Sequence, residues 1–333
     1  MPIMIDILDT VLRNLLSPAV LFFALGLGAG LARSDLSIPE ALAKGLALYL
    51  MLAIGFKGGV AVRGHGLDGT LAATLIVAGA LSFAMPLLAY ALLRATTGVS
   101  RTDAGAIAAH YGSISLVTFV TAIKFLEDIG MEGEGFMVAA AAVMETPAIV
   151  AGLWLARRSV SGETDRRHGL TGDLVREICL NGSVVILLGA FAIGLMTGAR
   201  GQEALGPFIG PPFQGILALF LLDLGLLVAR RLSGGTRLSL GLVAFGLYMP
   251  LLGAAIGLTA GVGLGLSAGG VALFATLCAS ASYIAVPAAL RLALPQADPA
   301  LSLAMSLGIT FPFNVALGIP LYAEAARHLV GVP

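Results

Sequence analysis

Charge is what this chain has least of. Only 11% of its 333 residues are Asp, Glu, Lys or Arg, against 58% hydrophobic, whereas a soluble domain carries about a quarter charged residues. So few charges cannot cover so much apolar surface in water. A soluble enzyme is therefore the first class excluded, and a lipid bilayer is the expected solvent. The 19 basic and 19 acidic residues cancel, which removes the electrostatic footprint that neutralises phosphates, so nucleic acid is not an expected partner. Cysteine is equally scarce: Cys179 and Cys278 both fall in apolar runs, and two thiols make neither a disulfide framework nor a multi-cysteine metal site. The opening stretch has Asp6 and Asp9 ahead of Arg13 and lacks a cationic start with a small-residue cleavage site. It does not read as a removable signal peptide and is expected along the membrane surface. Also missing are the His-Glu-x-x-His, phosphate-loop and Gly-x-Ser-x-Gly signatures, so no enzyme and no cofactor is expected.

Long apolar runs are what the chain does have. A span needs roughly 20 mainly apolar residues, and on that scale the first half offers Leu16 to Ala32, Pro39 to Phe56, Leu71 to Leu93, Ala104 to Phe125 and Phe136 to Ala156. The second offers Cys179 to Thr197, Phe213 to Ala229, Leu238 to Leu258, Val271 to Leu292 and Leu301 to Ala323. The runs lack the polar alternation of barrel strands, and in lipid only helices and closed barrels satisfy every backbone group. The expected fold is thus an all-α integral membrane protein of ten transmembrane helices. Residues 1–156 form a first five-helix repeat, 157–178 a cytoplasmic connecting loop and 179–333 a second five-helix repeat.

Lys and Arg concentrate in cytoplasmic loops. With the N-terminus outside, twelve of them fall in inner loops, among them Arg157, Arg158, Arg166 and Arg167, and six fall outside, with Lys44 inside a span. Both termini are therefore expected outside. An odd number of spans per half turns the second half over, as an inverted repeat requires. Gly45 to Gly55 (GLALYLMLAIG) set against Gly215 to Gly225 (GILALFLLDLG) shows it faintly, as do the prolines of Met144-Glu145-Thr146-Pro147 and Ile309-Thr310-Phe311-Pro312. Gly26, Gly28 and Gly30 imitate a dinucleotide loop, but with no strand before them they point to close helix packing.

Polar residues and helix breakers inside an apolar span are informative, because backbone freed there is tolerated only against protein or a wet cavity. Two such stretches occupy the fourth position of each half: His110-Tyr111-Gly112-Ser113-Ile114-Ser115-Leu116-Val117-Thr118, and Ser280-Ala281-Ser282-Tyr283-Ile284-Ala285-Val286-Pro287. A helix broken at mid-membrane exposes N–H groups that attract an anion at one fragment's start and carbonyls that fit a cation at the other's end. Single hydroxyls in membrane helices ordinarily bond across helices or to their own carbonyls; two clustered, symmetry-placed sets point instead to a binding site. Candidate substrate-binding residues are accordingly Gly112, Ser113, Ser115, Thr118, Ser280, Ser282, Tyr283 and Pro287.

Ionisable groups within spans are costly and mark use. Glu145 and Asp223, with Thr146, Thr310 and Asn314 beside the span-five and span-ten prolines, form a candidate oxygen-ligand set for sodium, a hard cation. A bland role for Glu145, protonated or paired with Lys57, stands beside that one. Lys57, Arg63, Lys124, Glu127 and Asp128 read as snorkelling or gating charges near span ends. His110 reads as a packing or hydrogen-bonding residue, and the glycine-dense stretch 257–270 as a flexible connector.

Ser17-Pro18, Ile38-Pro39-Glu40, the run from Ile54 to Arg63 (IGFKGGVAVR) and Glu145-Thr146-Pro147-Ala148 follow one another across the spans. In that order they resemble the sodium-dependent bicarbonate transporter family first known from cyanobacteria, over nearly the whole chain. The resemblance implies crossing broken helices, a mobile core domain and a gate domain each drawn from both repeats, a trimer, and import of bicarbonate with sodium as coupling ion across a bacterial inner membrane. It matches Gly112, Ser113, Ser115 and Thr118 to the family's first binding segment and Ser280, Ser282 and Pro287 to its second. Leu116 and Val117 stand where the cyanobacterial pattern has glycine and serine, and Tyr283 where it has Asp, which leaves open a sodium-coupled carrier of another small anion or carboxylate. A passive channel or membrane scaffold is the reading from another class. Cyanobacterial members bind a PII-like regulator at a connecting loop longer than the one here, so that partner carries over only weakly.

Overall fold

The computed structural model describes residues 16–65, 68–160, 182–233, 238–283, 286, 290, 294 and 296–331. Those residues fold almost wholly as helices: α1 (Pro18–Leu31), α2 (Glu40–His65), α3 (Gly69–Thr96), α4 (Arg101–Gly112), α5 (Leu116–Asp128), α6 (Met137–Val143), α7 (Glu145–Val160), α8 (Gly182–Ile209), α9 (Phe213–Ser233), α10 (Leu240–Gly263), α11 (Ala268–Ala279), α12 (Pro299–Met305), α13 (Phe311–Phe313) and α14 (Ile319–Val330). The last three run on through two π-helical turns, Ser306–Thr310 and Asn314–Gly318, flanking Pro312. Pro312 has no N–H to give to the ladder, and widened turns absorb such a gap.

Among the described residues eight helices are long and apolar enough to cross a membrane, the α4–α5 and α6–α7 pairs each counting as one. Two more, α1 and α11, are apolar but of 14 and 12 residues. The protein is thus an all-helical, multi-pass membrane protein. Most of the expected ninth span beyond Tyr283, together with Cys179 and the bulk of the connecting loop, lies outside the described residues.

Local sequence explains where the helices begin. Ser17, Asp68, Ser100, Ser115, Ser239 and Ser267 each accept a first-turn N–H, and Pro18 follows Ser17 at the position where a missing N–H costs nothing. The glycine-dense stretch is not a flexible connector. Residues 257–263 complete α10 and 268–270 open α11, leaving only 264–267 to turn the chain. A Cβ at Gly257 would lie 2.6 Å from Ala275 Cα and one at Gly253 2.2 Å from the Cys278 carbonyl oxygen. Glycine there lets α10 and α11 pack backbone to backbone.

The same device joins α1 to α9 and α2 to α8, which form one group of helices. A Cβ at Gly26 would stand 2.0 Å from Leu222 O and one at Gly225 2.2 Å from Phe23 O; at Gly55 it would stand 2.4 Å from Leu187 O and at Gly194 2.2 Å from Phe56 O. Lipid tails are as apolar as the side chains, so van der Waals contact at small-residue crossings carries the association. The remaining helices pack as a second group, with α4 against α3 and α7, and α11 against α10 and α14. Two clefts mark the seam. A cavity of about 280 Å³ separates Ile54, Lys57 and Ala61 of α2 from Phe119 and Ile123 of α5. A smaller one, about 70 Å³, lies between Ser17, Gln214 and Leu217 on one side and Thr121 and Lys124 on the other.

The charges expected near span ends are mostly tied down. Lys57 sits 5.2 Å over the Phe213 ring, and Arg63 donates to the carbonyls of Leu195 and Met196, where α8 kinks at Gly198 with φ +56°. Lys124 pairs with Asp128 at 2.5 Å and Glu127 at 3.7 Å.

Gly55→Val and Gly225→Val are each expected to cost about 1–3 kcal/mol or more through overpacking. In detergent this reads as a lower melting temperature. Gly45→Ala, whose Cβ would meet nothing within 4 Å, should leave the melting temperature unchanged.

Candidate functional site

The two polar stretches are breaks, and the breaks meet. α4 stops at Gly112 and α5 starts at Leu116, with Ser113 and Ser115 extended between them. α11 stops at Ala279, and Ser280 carries the chain out in an extended conformation. Gly112 belongs to the packing of the break: a Cβ there would fall 2.3 Å from the Pro86 ring of α3 and 2.7 Å from Ser82 O.

Each break satisfies backbone groups that the other leaves free. The Ser115 N–H donates to Ser280 Oγ at 2.9 Å, and Ser280 Oγ donates on to Leu277 O at 2.9 Å. The Ser282 N–H donates to His110 O at 2.9 Å, and His110 Nδ1 donates to Ser282 O at 2.5 Å. Ser115 also starts α5. Its hydroxyl accepts the Thr118 N–H at 3.2 Å and the Thr118 hydroxyl at 2.9 Å. Ser113, Ser115, Thr118, Ser280 and Ser282 are all buried, as are His110 and Tyr283.

The candidate cation ligands separate by position. Glu145 opens α7 at the turn after α6 and is buried beside Ser113. That turn is held by Ser82 of α3, whose hydroxyl donates to Met144 O at 2.5 Å and accepts the Ala148 N–H at 3.2 Å. Thr310 is fully engaged: it donates to Gly246 O at 2.8 Å and accepts from Tyr111 OH at 2.7 Å. Asn314 caps the end of α11 by donating to Ala279 O at 2.9 Å, and its other amide atom accepts from Tyr322 OH at 2.8 Å. Both residues thus brace the crossing through these hydrogen bonds. Asp223 lies in α9, in the other helix group, with Arg230 as its nearby charge. The side chain of Thr146, and Pro287 altogether, lie outside the described residues. No group of three or more His, Cys, Asp or Glu that could hold a metal ion occurs among the described residues, so any cation here would meet hydroxyl, carbonyl and single-carboxylate oxygens.

Four buried side-chain atoms among the described residues lack a hydrogen-bond partner: His110 Nε2, Ser113 Oγ, Tyr283 OH and Glu134 Oε2. Three of the four stand at the crossing. Leaving a buried polar atom unpaired costs about 1–3 kcal/mol, and such atoms ask for an explanation. Ser113 Oγ lies beside Glu145, and Tyr283 OH beside Ser115, without a hydrogen bond of regular geometry. The Tyr283 ring meets Phe311 edge-on at 5.4 Å, and Phe311 meets Phe23 of α1 at 5.5 Å. An aromatic column thus links the second break to the other helix group. His110, read from sequence as a packing or hydrogen-bonding residue, does hydrogen-bond, to Ser282 across the crossing; its open Nε2 is what the sequence does not show.

Asn314→Ala would strand Ala279 O and Tyr322 OH. It is expected to lower thermal stability by about 1–3 kcal/mol, equally with and without sodium. A frame residue behaves so, whereas a sodium ligand would lose only the sodium-dependent part.

No curated protein sequence matches the chain. A family model, described as the Na+-dependent bicarbonate transporter superfamily, matches residues 18–327. Membership in a transporter family accords with the multi-pass fold and with a site made of helix ends and hydroxyls, and it sets the protein apart from enzymes. The chain belongs to the Na+-dependent bicarbonate transporter superfamily.

Proposed function

We propose that the protein imports bicarbonate, coupled to inward sodium movement, by alternating access around the crossing of the two breaks. The observation that carries this reading is that three buried atoms without a regular hydrogen bond, His110 Nε2, Ser113 Oγ and Tyr283 OH, belong to the segments where α4, α5 and α11 end or begin. The start of α5 offers N–H groups and partial positive charge to an anion. Glu145 and Ser113 offer oxygens to sodium, which favours such ligands. In a low-dielectric site each ion lowers the other's cost of leaving water, so binding is mutual.

The same reading takes the chain as ten spans in two five-span halves of opposite orientation, with both termini outside a bacterial inner membrane. The glycine crossings support it. Setting Gly45–Gly55 against Gly215–Gly225 makes Gly55 and Gly225 equivalents, and each abuts a carbonyl in the first helix of the opposite half, Leu187 and Phe23. Helices α1, α2, α8 and α9 would then be the gate and the rest the core, with the clefts beside α5 on their sliding seam. Sodium-coupled transport of another small anion or carboxylate is the second reading, favoured by Tyr283, whose hydroxyl stands unpartnered at the second break.

Sodium-gradient uptake of labelled bicarbonate into proteoliposomes tests the proposal. Ser113→Ala and Glu145→Gln should each cut uptake roughly 10-fold, the loss of about one hydrogen bond to a charged ligand. Thr259→Ala, which removes a hydroxyl bonded only to its own helix at Ala255 O, should transport as the parent does. Full uptake by both site variants would overturn the site.

A further inference from the structure

The ring of His110 is fully buried, at 0% exposure, and its two nitrogens are in unlike situations. Nδ1 faces the carbonyl oxygen of Ser282 at 2.5 Å. A carbonyl only accepts, so Nδ1 carries a proton. Nε2 has no partner. Were it protonated too, the ring would be a buried cation whose second N–H points at nothing, a state strongly disfavoured in a low-dielectric interior. The ring is therefore neutral, and Nε2 is a bare lone pair, an acceptor waiting for a donor. The other two atoms at the crossing without a hydrogen bond of regular geometry, Ser113 Oγ beside Glu145 and Tyr283 OH beside Ser115, are hydroxyls able to donate. His110 and Ser113 lie one turn apart at the end of α4, a spacing that places side chains on one helix face. Tyr283 follows Ser282, the residue that His110 holds by both its carbonyl and its N–H.

One acceptor and two donors that lack regular partners at the same crossing complement a particular kind of guest: an oxyanion that keeps a proton. Its charged oxygens accept from hydroxyls and its own O–H donates to a lone pair. We propose that His110 Nε2 is the group that reads this proton, restricting transport to small hydrogen-bearing oxyanions and rejecting anions of the same shape and charge that have no donor. The inference rests on the reading of the crossing as the anion site and adds the chemical class that the site selects. A site built to bond a substrate O–H discriminates strongly against an analogue lacking it, because its own buried group is then left unpaired.

Bicarbonate and nitrate are the probes: both are planar, three-oxygen monoanions, and only bicarbonate carries an O–H. Sodium-driven uptake of labelled bicarbonate by the full-length protein in proteoliposomes is measured against rising nitrate, for the parent, His110→Asn and His110→Gln. In His110→Asn the amide can still donate to Ser282 O, but no acceptor reaches the Nε2 position. His110→Gln returns a polar group to that position and gives up the donor at Nδ1. For the parent, a 10-fold excess of nitrate should leave bicarbonate uptake intact. His110→Asn should lose bicarbonate uptake roughly 10-fold or more and become sensitive to nitrate, while His110→Gln should keep the preference for bicarbonate at lower folded yield. Equal competition by nitrate in the parent overturns the inference even if no variant folds. So does unchanged selectivity in a folded His110→Asn protein, with bicarbonate transport itself left standing. Absence of sodium-driven bicarbonate uptake by the parent would overturn the underlying site reading, and this inference with it.

Discussion

Two interrupted helices that repair each other's backbone are the constraint on which the molecule depends. In hydrocarbon an unpaired N–H or carbonyl costs several kilocalories per mole, and irregular backbone survives only where protein or water satisfies it. Here the repair is reciprocal. Ser280 Oγ takes the Ser115 N–H, and His110 takes the Ser282 N–H on its carbonyl while giving its own Nδ1–H to the Ser282 carbonyl. Each break thus draws hydrogen-bond partners from the other. That mutual dependence fixes the position of helix ends and hydroxyls in a way that two separately capped helices would not.

Everything around the crossing reads as support for it. Ser82 splices the α6–α7 turn that presents Glu145, and Thr310 and Asn314 tie the π-helical turns to α10 and to the end of α11. The glycines let α1 and α9, and α2 and α8, pack at backbone distance. Stiff helix pairs of this kind suit rigid-body motion of one group against another, and the clefts beside α5 lie where such a motion would have to slide. The Phe23–Phe311–Tyr283 column crosses the same seam.

Much of this is legible in the letters because lipid simplifies the rules. Span positions come from apolar length, and the breaks from hydroxyls, Gly112 and Ser280 interrupting apolar runs. The role of Gly26 and Gly30 as packing residues is readable, since no strand precedes them, whereas Gly28, read the same way, faces open space where a Cβ would meet nothing within 4 Å. What sequence does not carry is direction. Thr310 and Asn314 suit an ion by residue type, and the letters do not show that their polar atoms also bond Gly246, Tyr111, Ala279 and Tyr322. Glycine density at 257–270 reads as flexibility and is close packing of α10 on α11. His110 reads as a packing or hydrogen-bonding residue and does bond Ser282, but one histidine in an apolar helix carries no sign of which nitrogen is left open. Asp223 resembles a partner of Glu145 on charge alone, and the fold assigns them to different helix groups.

The central claim is that the crossing itself takes up the two ions, and amide hydrogen exchange on the purified protein reaches it most directly. Exchange at residues 113–118 and 280–283 would be followed without ligand, with sodium, with bicarbonate, and with both. The account predicts protection at the two segments together, largest when both ions are present and more than the sum of the separate effects. Protection confined to one segment, or exchange indifferent to either ion, would contradict it.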